Sequence, residues 1–285
     1  MTTDLLQENL DSKQAEWAKG LWNDYLTGQH KNATGKIRLM RSLFKWLPGD
    51  RRCKICDAPL AGTSSRMVAL IGFGTKLSRS RFNPNLCDQC EKIVTKYQVG
   101  VETQVTLLFA DVRGSTTMAE KMRPAEYHNV IDRFYKAATE VMVNTDALID
   151  KLVGDEVIGL YVPGIAGERY PRKAVEAGVE MLRVTGHADS GTPWLPIGVG
   201  IHTGTAYLGA VGSHSGMSDI TALGDAVNTA ARLASQAQYG EILVSAETCR
   251  ALGMHPENCE TRNLTLKGRA EPVEVYVLNH ASKLP

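Results

Sequence analysis

The sequence predicts an α+β protein, with helices laid over a sheet and a small cysteine-bearing module ahead of them. Three observations carry this. Tyr127, Ile131, Phe134, Ala138 and Met142 recur at helical spacing within residues 124–144. Short apolar runs, the first at residues 105–110, alternate with such helical stretches to the end of the chain, the pattern of a sheet covered by helices. Upstream, two C-x2-C pairs stand thirty residues apart.

The elements follow in order. Residues 3–27 place Leu6, Leu10, Trp17, Leu21 and Tyr25 mostly on one helical face, and Gly28 stops the run. A helix packed on its own domain is expected; a self-associating or partner-binding helix is the sharper alternative. Residues 36–50 make a second amphipathic stretch that sets Leu39, Leu43 and Leu47 against Arg and Lys and ends at Pro48 and Gly49. It is expected to pack against the cysteine module, with docking at a membrane surface as the alternative. Beyond Glu102, strands at 105–110, 147–153, 157–161, 197–202, 241–244 and 273–278 interleave with helices at 124–144, 172–185 and 225–236.

Cys53, Cys56, Cys87 and Cys90 form the paired knuckles, which can present four thiolates to one ion in the tetrahedral arrangement of structural zinc. Zn²⁺ is the expectation. An iron–sulfur cluster uses the same ligands, and four unliganded thiols are the remaining reading. Between the knuckles, residues 67–75 suit a short hairpin turning at Gly72 and Gly74; the GFG there lacks the third glycine and the helix of a dinucleotide fingerprint. Cys249 and Cys259 read as ordinary thiols.

With 285 residues, 43% of them apolar, the chain has length for one good core and a smaller module. A net charge of +1 gives no reason to expect stable nucleic-acid binding, although Lys31, Lys36, Arg38, Arg41, Lys45, Arg51, Arg52 and Lys54 against Asp50 make a local basic patch. No run approaches the roughly 18 apolar residues of a membrane span, and the N-terminus lacks a secretory signal. A cytoplasmic protein is expected, in a reducing compartment where CxxC pairs bind metal.

Four segments carry chemistry: FADVRGST at 109–116, KLVGDE at 151–156, TALGDAVNTAARL at 221–233 and LKG at 266–268. An aspartate after an apolar strand is ordinary by itself; order and spacing make these four specific. Together they resemble the class III adenylate and guanylate cyclase catalytic domain over roughly residues 100–280. That divides the chain into a helical segment (1–50), a four-cysteine module (51–98) and the cyclase domain (100–280).

The resemblance implies a ferredoxin-like βαββαβ core and assigns roles. Asp111 and Asp155 match the aspartates that bridge two Mg²⁺ or Mn²⁺ ions per active site, and Val112, Gly114 and Ser115 match the turn that faces substrate phosphates. Lys151 and Thr221 match the base-reading pair: an ammonium donates to adenine N1 and a hydroxyl accepts from its amino group, whereas guanine would call for a carboxylate at Lys151. The Thr form resembles the subclass that includes bicarbonate-responsive adenylate cyclases. Asn228 and Arg232, at i and i+4 on one helical face, match the catalytic residues that orient the ribose and meet charge on the α-phosphate, and Lys267 matches the terminal-phosphate lysine. Many relatives have an aromatic residue where Ser115 stands, and Glu156 adds a carboxylate beside the second metal ligand.

In that family the aspartates and the base and phosphate residues come from different subunits. A chain with both sets implies a head-to-tail homodimer with two equivalent sites, and residues 209–218 are placed like the family's dimerisation arm. The expected activity is conversion of ATP to 3′,5′-cyclic AMP and pyrophosphate. The alternatives are a guanylate or mixed cyclase, and a non-catalytic adaptor built on the cysteine module.

Overall fold

The computed structural model describes residues 2–29, 35–49, 51–61, 65, 79–80, 83–96, 99–212, 218–253, 259–269 and 271–282. The elements are α1 (Thr2–Thr27), α2 (Gly35–Phe44), α3 (Asp88–Lys96), β1 (Gly100–Val112), α4 (Ser115–Lys121), α5 (Pro124–Asn144), β2 (Leu148–Val153), β3 (Glu156–Tyr161), α6 (Pro163–Ala166) and α7 (Tyr170–Val184). There follow β4 (Ile197–Gly212), β5 (Ser218–Leu223), α8 (Asp225–Gln236), β6 (Ile242–Ser245), α9 (Ala246–Leu252), β7 (Glu260–Leu264) and β8 (Val273–Leu278).

The strands form one eight-stranded sheet in the order β2-β3-β1-β4-β6-β8-β7, with β5 pairing β4 off this path. The part β2-β3-β1-β4, connected through α5 and α7, is the expected ferredoxin-like βαββαβ core. After it, β6 runs parallel to β4, and β8 and β7 extend the sheet antiparallel. By compactness the chain divides into two units, residues 1–103 with 163–167 and 207–221, and residues 104–162 with 168–206 and 222–285.

Within the second unit, α5 begins with Pro124 in its first turn and with the Arg123 N–H donating to the Glu126 carboxylate at 3.3 Å. Its buried face, Ile131, Phe134, Ala138, Val141 and Met142, packs on β2 and β3. Each of these side chains except Ala138 stabilises the fold by about 1.5–3 kcal/mol. Two close approaches seat the other helices. A Cβ at Gly178 on α7 would meet Ile201 at 3.1 Å and Ile242 at 3.4 Å, so that helix lies low over β4 and β6. At Gly200 a Cβ would fall 2.2 Å from the Ala234 nitrogen and 2.5 Å from the Ala230 oxygen. The alternating glycines 198 and 200 of β4 thus let α8 rest its backbone on the strand.

In the first unit, α1 buries Ala18, Leu21, Trp22, Tyr25 and Leu26 and contacts α3 and α6. Trp22 is among the most completely buried side chains, and it was not on the expected face; the side chains of Leu6 and Leu10 lie outside the described residues. Gly164 makes room for the last turn of α1, since a Cβ there would fall 1.7 Å from the Tyr25 carbonyl oxygen.

Residues 36–50 contact the cysteine module as expected, but through polar groups and not through Leu39 and Leu43. The helix ends at Phe44, which is buried, while Leu39 and Leu43 are 60% and 49% exposed and Trp46 is 86% exposed. Polar contacts run both ways between the helix end and the cysteine module. Arg41 donates to the Ile55 carbonyl at 3.3 Å and stands 4.0 Å from Asp57. Arg52 donates to the carbonyls of Phe44 at 2.8 Å and Asp57 at 3.0 Å, and also to that of Leu47.

Other differences are of extent. β1 and β4 are longer than expected, and β4 runs on to Gly212 through the start of the stretch read as a dimerisation arm; Ser218 opens β5, and residues 213–217 lie outside the described residues. So do the hairpin expected at 67–75, apart from what precedes it, and the GFG at 72–74. Helices α3, α4, α6 and α9 and strands β5 and β7 were not foreseen, being too short for a periodicity to declare itself.

Candidate active site

The antiparallel pairing of β1 with β3 sets Asp111 opposite Glu156, and the Val112 N–H donates to the Asp155 carbonyl at 3.1 Å. The end of β1 and the β2–β3 turn are thereby fastened together, and three carboxylates collect there. Gly154 takes φ 63° to make the turn, and Tyr135 on α5 donates its hydroxyl to the Gly154 carbonyl at 2.9 Å. Burial, then the charges of Asp111 and Asp155, push Glu156 up to about 7. Asp111 is raised as well, by burial first; the Arg113 guanidinium pulls it down and Asp155 pushes it up. Carboxylates that crowd one another in this way gain from a cation, and an all-oxygen donor set suits a hard divalent ion such as Mg²⁺ or Mn²⁺.

Arg113 was missed by sequence reasoning. Its guanidinium forms an ion pair with Asp111 and donates to the carbonyls of Ser235 at 3.0 Å and Ala237 at 3.4 Å, at the end of α8. Its own N–H donates to the Pro196 carbonyl at 2.8 Å. The side chain therefore braces the aspartate from a distant part of the sequence. A basic residue beside DV was the only sign of it in the sequence.

On α8, Asn228 is exposed and Arg232 half-buried. Leu266 is buried in one cluster with Leu233, Leu243 and Val275, which holds the Leu266–Lys267–Gly268 turn against the helix. A Cβ at Gly268 would lie 3.4 Å from an Arg232 terminal nitrogen, so Arg232 and the Lys267 turn are adjacent. Arg269, a second residue not foreseen, donates to Thr229 at 2.7 Å and stands 3.4 Å from Asp225. The structure thus brings Asp111 and Asp155 together, and Arg232 beside the Lys267 turn on the helix that bears Asn228. Arg113 links the two places through its ion pair with Asp111 and its bonds to the Ser235 and Ala237 carbonyls at the end of that helix.

Lys151 is exposed on β2, 3.8 Å from the Asp150 carboxylate, and the register of β2 against β3 shifts between Ile149 and Lys151. Such a bulge re-aims side chains. Thr221 is buried on β5 and Val112 at the end of β1. Gly114, at φ 71°, precedes Ser115 and α4, with open space where a Cβ would be.

In the first unit the sulfurs of Cys53, Cys56, Cys87 and Cys90 are all buried and lie within 4.8 Å of one another. Backbone N–H groups of Cys87 and Cys90 point at Cys53 Sγ at 3.3 Å and Cys87 Sγ at 3.5 Å. A soft tetrathiolate set of this kind can hold one metal ion, and it is remote in kind from the carboxylate cluster.

Residues 98–280 match the model of the adenylate and guanylate cyclase catalytic domain, and the chain belongs to that family. An adenylate cyclase of Anabaena cylindrica is 31% identical over 185 residues, which is 61% of this chain and 36% of that one. The chain therefore spans little more than a third of that curated relative's length. Among solved structures, the adenylyl cyclase CyaB from P. aeruginosa superposes with a TM-score of 0.56 at 28% identity, covering 66% of this chain and all of that one. The guanylyl cyclase Cya2 superposes with the same TM-score and identity, covering 62% of this chain and 92% of that one. The fold is that of a nucleotide cyclase catalytic domain. No described helix is long and apolar enough to cross a membrane.

Proposed function

We propose that the chain is an adenylate cyclase that converts ATP to 3′,5′-cyclic AMP and pyrophosphate at the interface of a head-to-tail homodimer. The observation that carries this reading is the meeting of Asp111 and Asp155 across β1 and the β2–β3 turn. In it Asp111 and Asp155 hold a pair of Mg²⁺ or Mn²⁺ ions, which when bound neutralise triphosphate charge and acidify the attacking ribose hydroxyl. Asn228 orients the ribose, Arg232 meets the charge that grows on the α-phosphate, and Lys267 with its turn receives the terminal phosphates. Lys151 donates to adenine N1, and Thr221 accepts from the adenine amino group. Val112, Gly114 and Ser115 line the phosphate side.

The likeness to the family supports the homodimer, because there the carboxylates and the base and phosphate residues come from different subunits: a partner's α8 face brought to the carboxylates completes each site, twice over by symmetry. The Cys53, Cys56, Cys87 and Cys90 centre takes no part in the reaction on this reading. Assay of the purified chain with ATP and Mn²⁺ tests the proposal: cyclic AMP is expected, and Asp111→Ala is expected to abolish it. Retained turnover in that variant would remove the metal role of Asp111.

A guanylate cyclase is the second reading, favoured by the equal likeness to Cya2. Lys151 opposes it, since two donors would face each other at guanine N1. Competition between GTP and ATP separates the two.

A further inference from the structure

Asp225, Thr229, Arg232 and Gln236 recur along α8 at steps of four, three and four residues, and so share one stripe of the helix. The segment 265–269 is fastened along this stripe at both ends. At one end the Gln236 side-chain amide donates to the Thr265 carbonyl at 3.3 Å. At the other the Arg269 guanidinium donates to the Thr229 hydroxyl at 2.7 Å and stands 3.4 Å from the Asp225 carboxylate. Thr229 is fully buried and donates its own proton to the Asp225 carbonyl at 2.9 Å, which leaves its oxygen to accept from Arg269. Between these ends Leu266 is buried against Leu233, and the Arg269 N–H closes the turn on the Leu266 carbonyl at 3.0 Å. Gly268, at φ 79°, stands against the Arg232 guanidinium. Lys267 is exposed, and no hydrogen bond or ion pair among the described residues holds its ammonium, so its placement depends on its backbone.

We propose that Arg269 is a positioning residue: by fixing the turn on α8 it holds Lys267 beside Arg232, so that both cations meet one polyphosphate, and it sets affinity for the terminal phosphates without touching them. The inference rests on the cyclase reading for the roles of Lys267 and Arg232. A flexible lysine binds phosphate well only if little freedom is left to lose, and a backbone fastened on both sides removes much of it beforehand. Arg269 suits the task because its planar fork reaches a hydroxyl and a carboxylate together, which a lysine ammonium does less well. Asp225 also sets one negative charge beside Arg269, where Arg232 and Lys267 add two more cations.

The test measures equilibrium binding to the full chain, with Mn²⁺ present, of α,β-methylene-ATP, which cannot lose pyrophosphate, and of AMP, which lacks the terminal phosphates. Arg269→Ala is expected to weaken the triphosphate about tenfold and to leave AMP unchanged. Equal loss for both ligands, or no loss, overturns the role. Thr229→Val keeps the charge of Arg269 and removes only its acceptor, and the same selective loss is expected. Undiminished triphosphate affinity in that variant refutes positioning, because Arg269 would then act on the phosphates directly. In a Lys267→Ala background Arg269→Ala is expected to change nothing further, since one acts through the other. A second full loss refutes that path. Binding needs no turnover, so these outcomes stand apart from the cyclase reading, which fails if the wild type makes no cyclic AMP from ATP. A wild type that binds neither ligand overturns both.

Discussion

Val112 donates its backbone N–H to the carbonyl of Asp155 at 3.1 Å, and this one bond fastens the strand that carries Asp111 to the turn that carries the second aspartate. It explains why two side chains 44 positions apart share one patch of surface, and why Glu156 comes with them.

Carboxylates this close repel one another, so the site trades stability for charge. Asp155→Asn is expected to lower cyclic AMP formation by more than about a hundredfold while leaving the melting temperature equal or slightly higher. Turnover and thermal melting of the same preparation check both halves.

Arg232 stands beside the Gly268 turn and on the face that bears Asn228. Arg232→Ala should reduce kcat by about 10²–10³, or roughly 3–4 kcal/mol of transition-state stabilisation. Mixing inactive Asp111→Asn with inactive Arg232→Ala should restore about a quarter of wild-type activity, because half the dimers then own one intact site of two. No recovery on mixing would refute a composite site.

The Tyr135 hydroxyl pins the Gly154 carbonyl at 2.9 Å and so steadies Asp155 without touching substrate. Tyr135→Phe is expected to cost about 1 kcal/mol of stability and to raise the Mn²⁺ concentration needed for half-maximal rate. If the metal dependence of the rate does not move, Tyr135 is merely structural.

Gly200→Val forces a side chain into the backbone of α8, where even a Cβ would sit 2.2 Å from the Ala234 nitrogen. The helix must lift, at a cost of about 1–3 kcal/mol or more. Activity should fall further than stability explains, since Asn228 and Arg232 move with the helix. Melting and turnover, compared with a Gly191→Ala control in open space, decide it.

Glu241 accepts both terminal nitrogens of Arg262, at 3.0 and 2.8 Å, and the Gln238 N–H at 2.9 Å. Burial alone would raise its carboxyl, but these donors win and hold it below its ordinary 4.5. A lowered carboxylate contributes stability that is fully present above the unfolded value and is lost as pH falls through the folded one. Glu241→Gln should therefore be less stable than wild type at pH 7 by about 1–2 kcal/mol, and the gap should close as the pH is taken below 4.5. A gap that persists in acid would contradict the pairing.

Much of the fold was legible because it is written in local period. Helices 124–144 and 225–236 and the strand at 273–278 have the bounds expected from side-chain spacing and punctuation. The candidate chemistry-bearing groups are residue types that a sequence displays directly, one position at a time. The short elements α4, α6 and α9 hold under three turns each, and a stretch that short has no readable period.

The sequence by itself determined which residue types were available: two aspartates after apolar strands, an Asn and an Arg one helical turn apart, and four cysteines in two pairs. Tertiary structure alone decided which of them meet. It set Arg41 on the Ile55 carbonyl and Arg52 on the Phe44 carbonyl and left Leu39 and Leu43 outside, because backbone carbonyls between the helix end and the module take these donors. It brought Arg113 to Asp111 by way of the α8 carbonyls. Such pairings join residues far apart in the chain, so they depend on packing and on satisfying buried polar groups, neither of which a local pattern records.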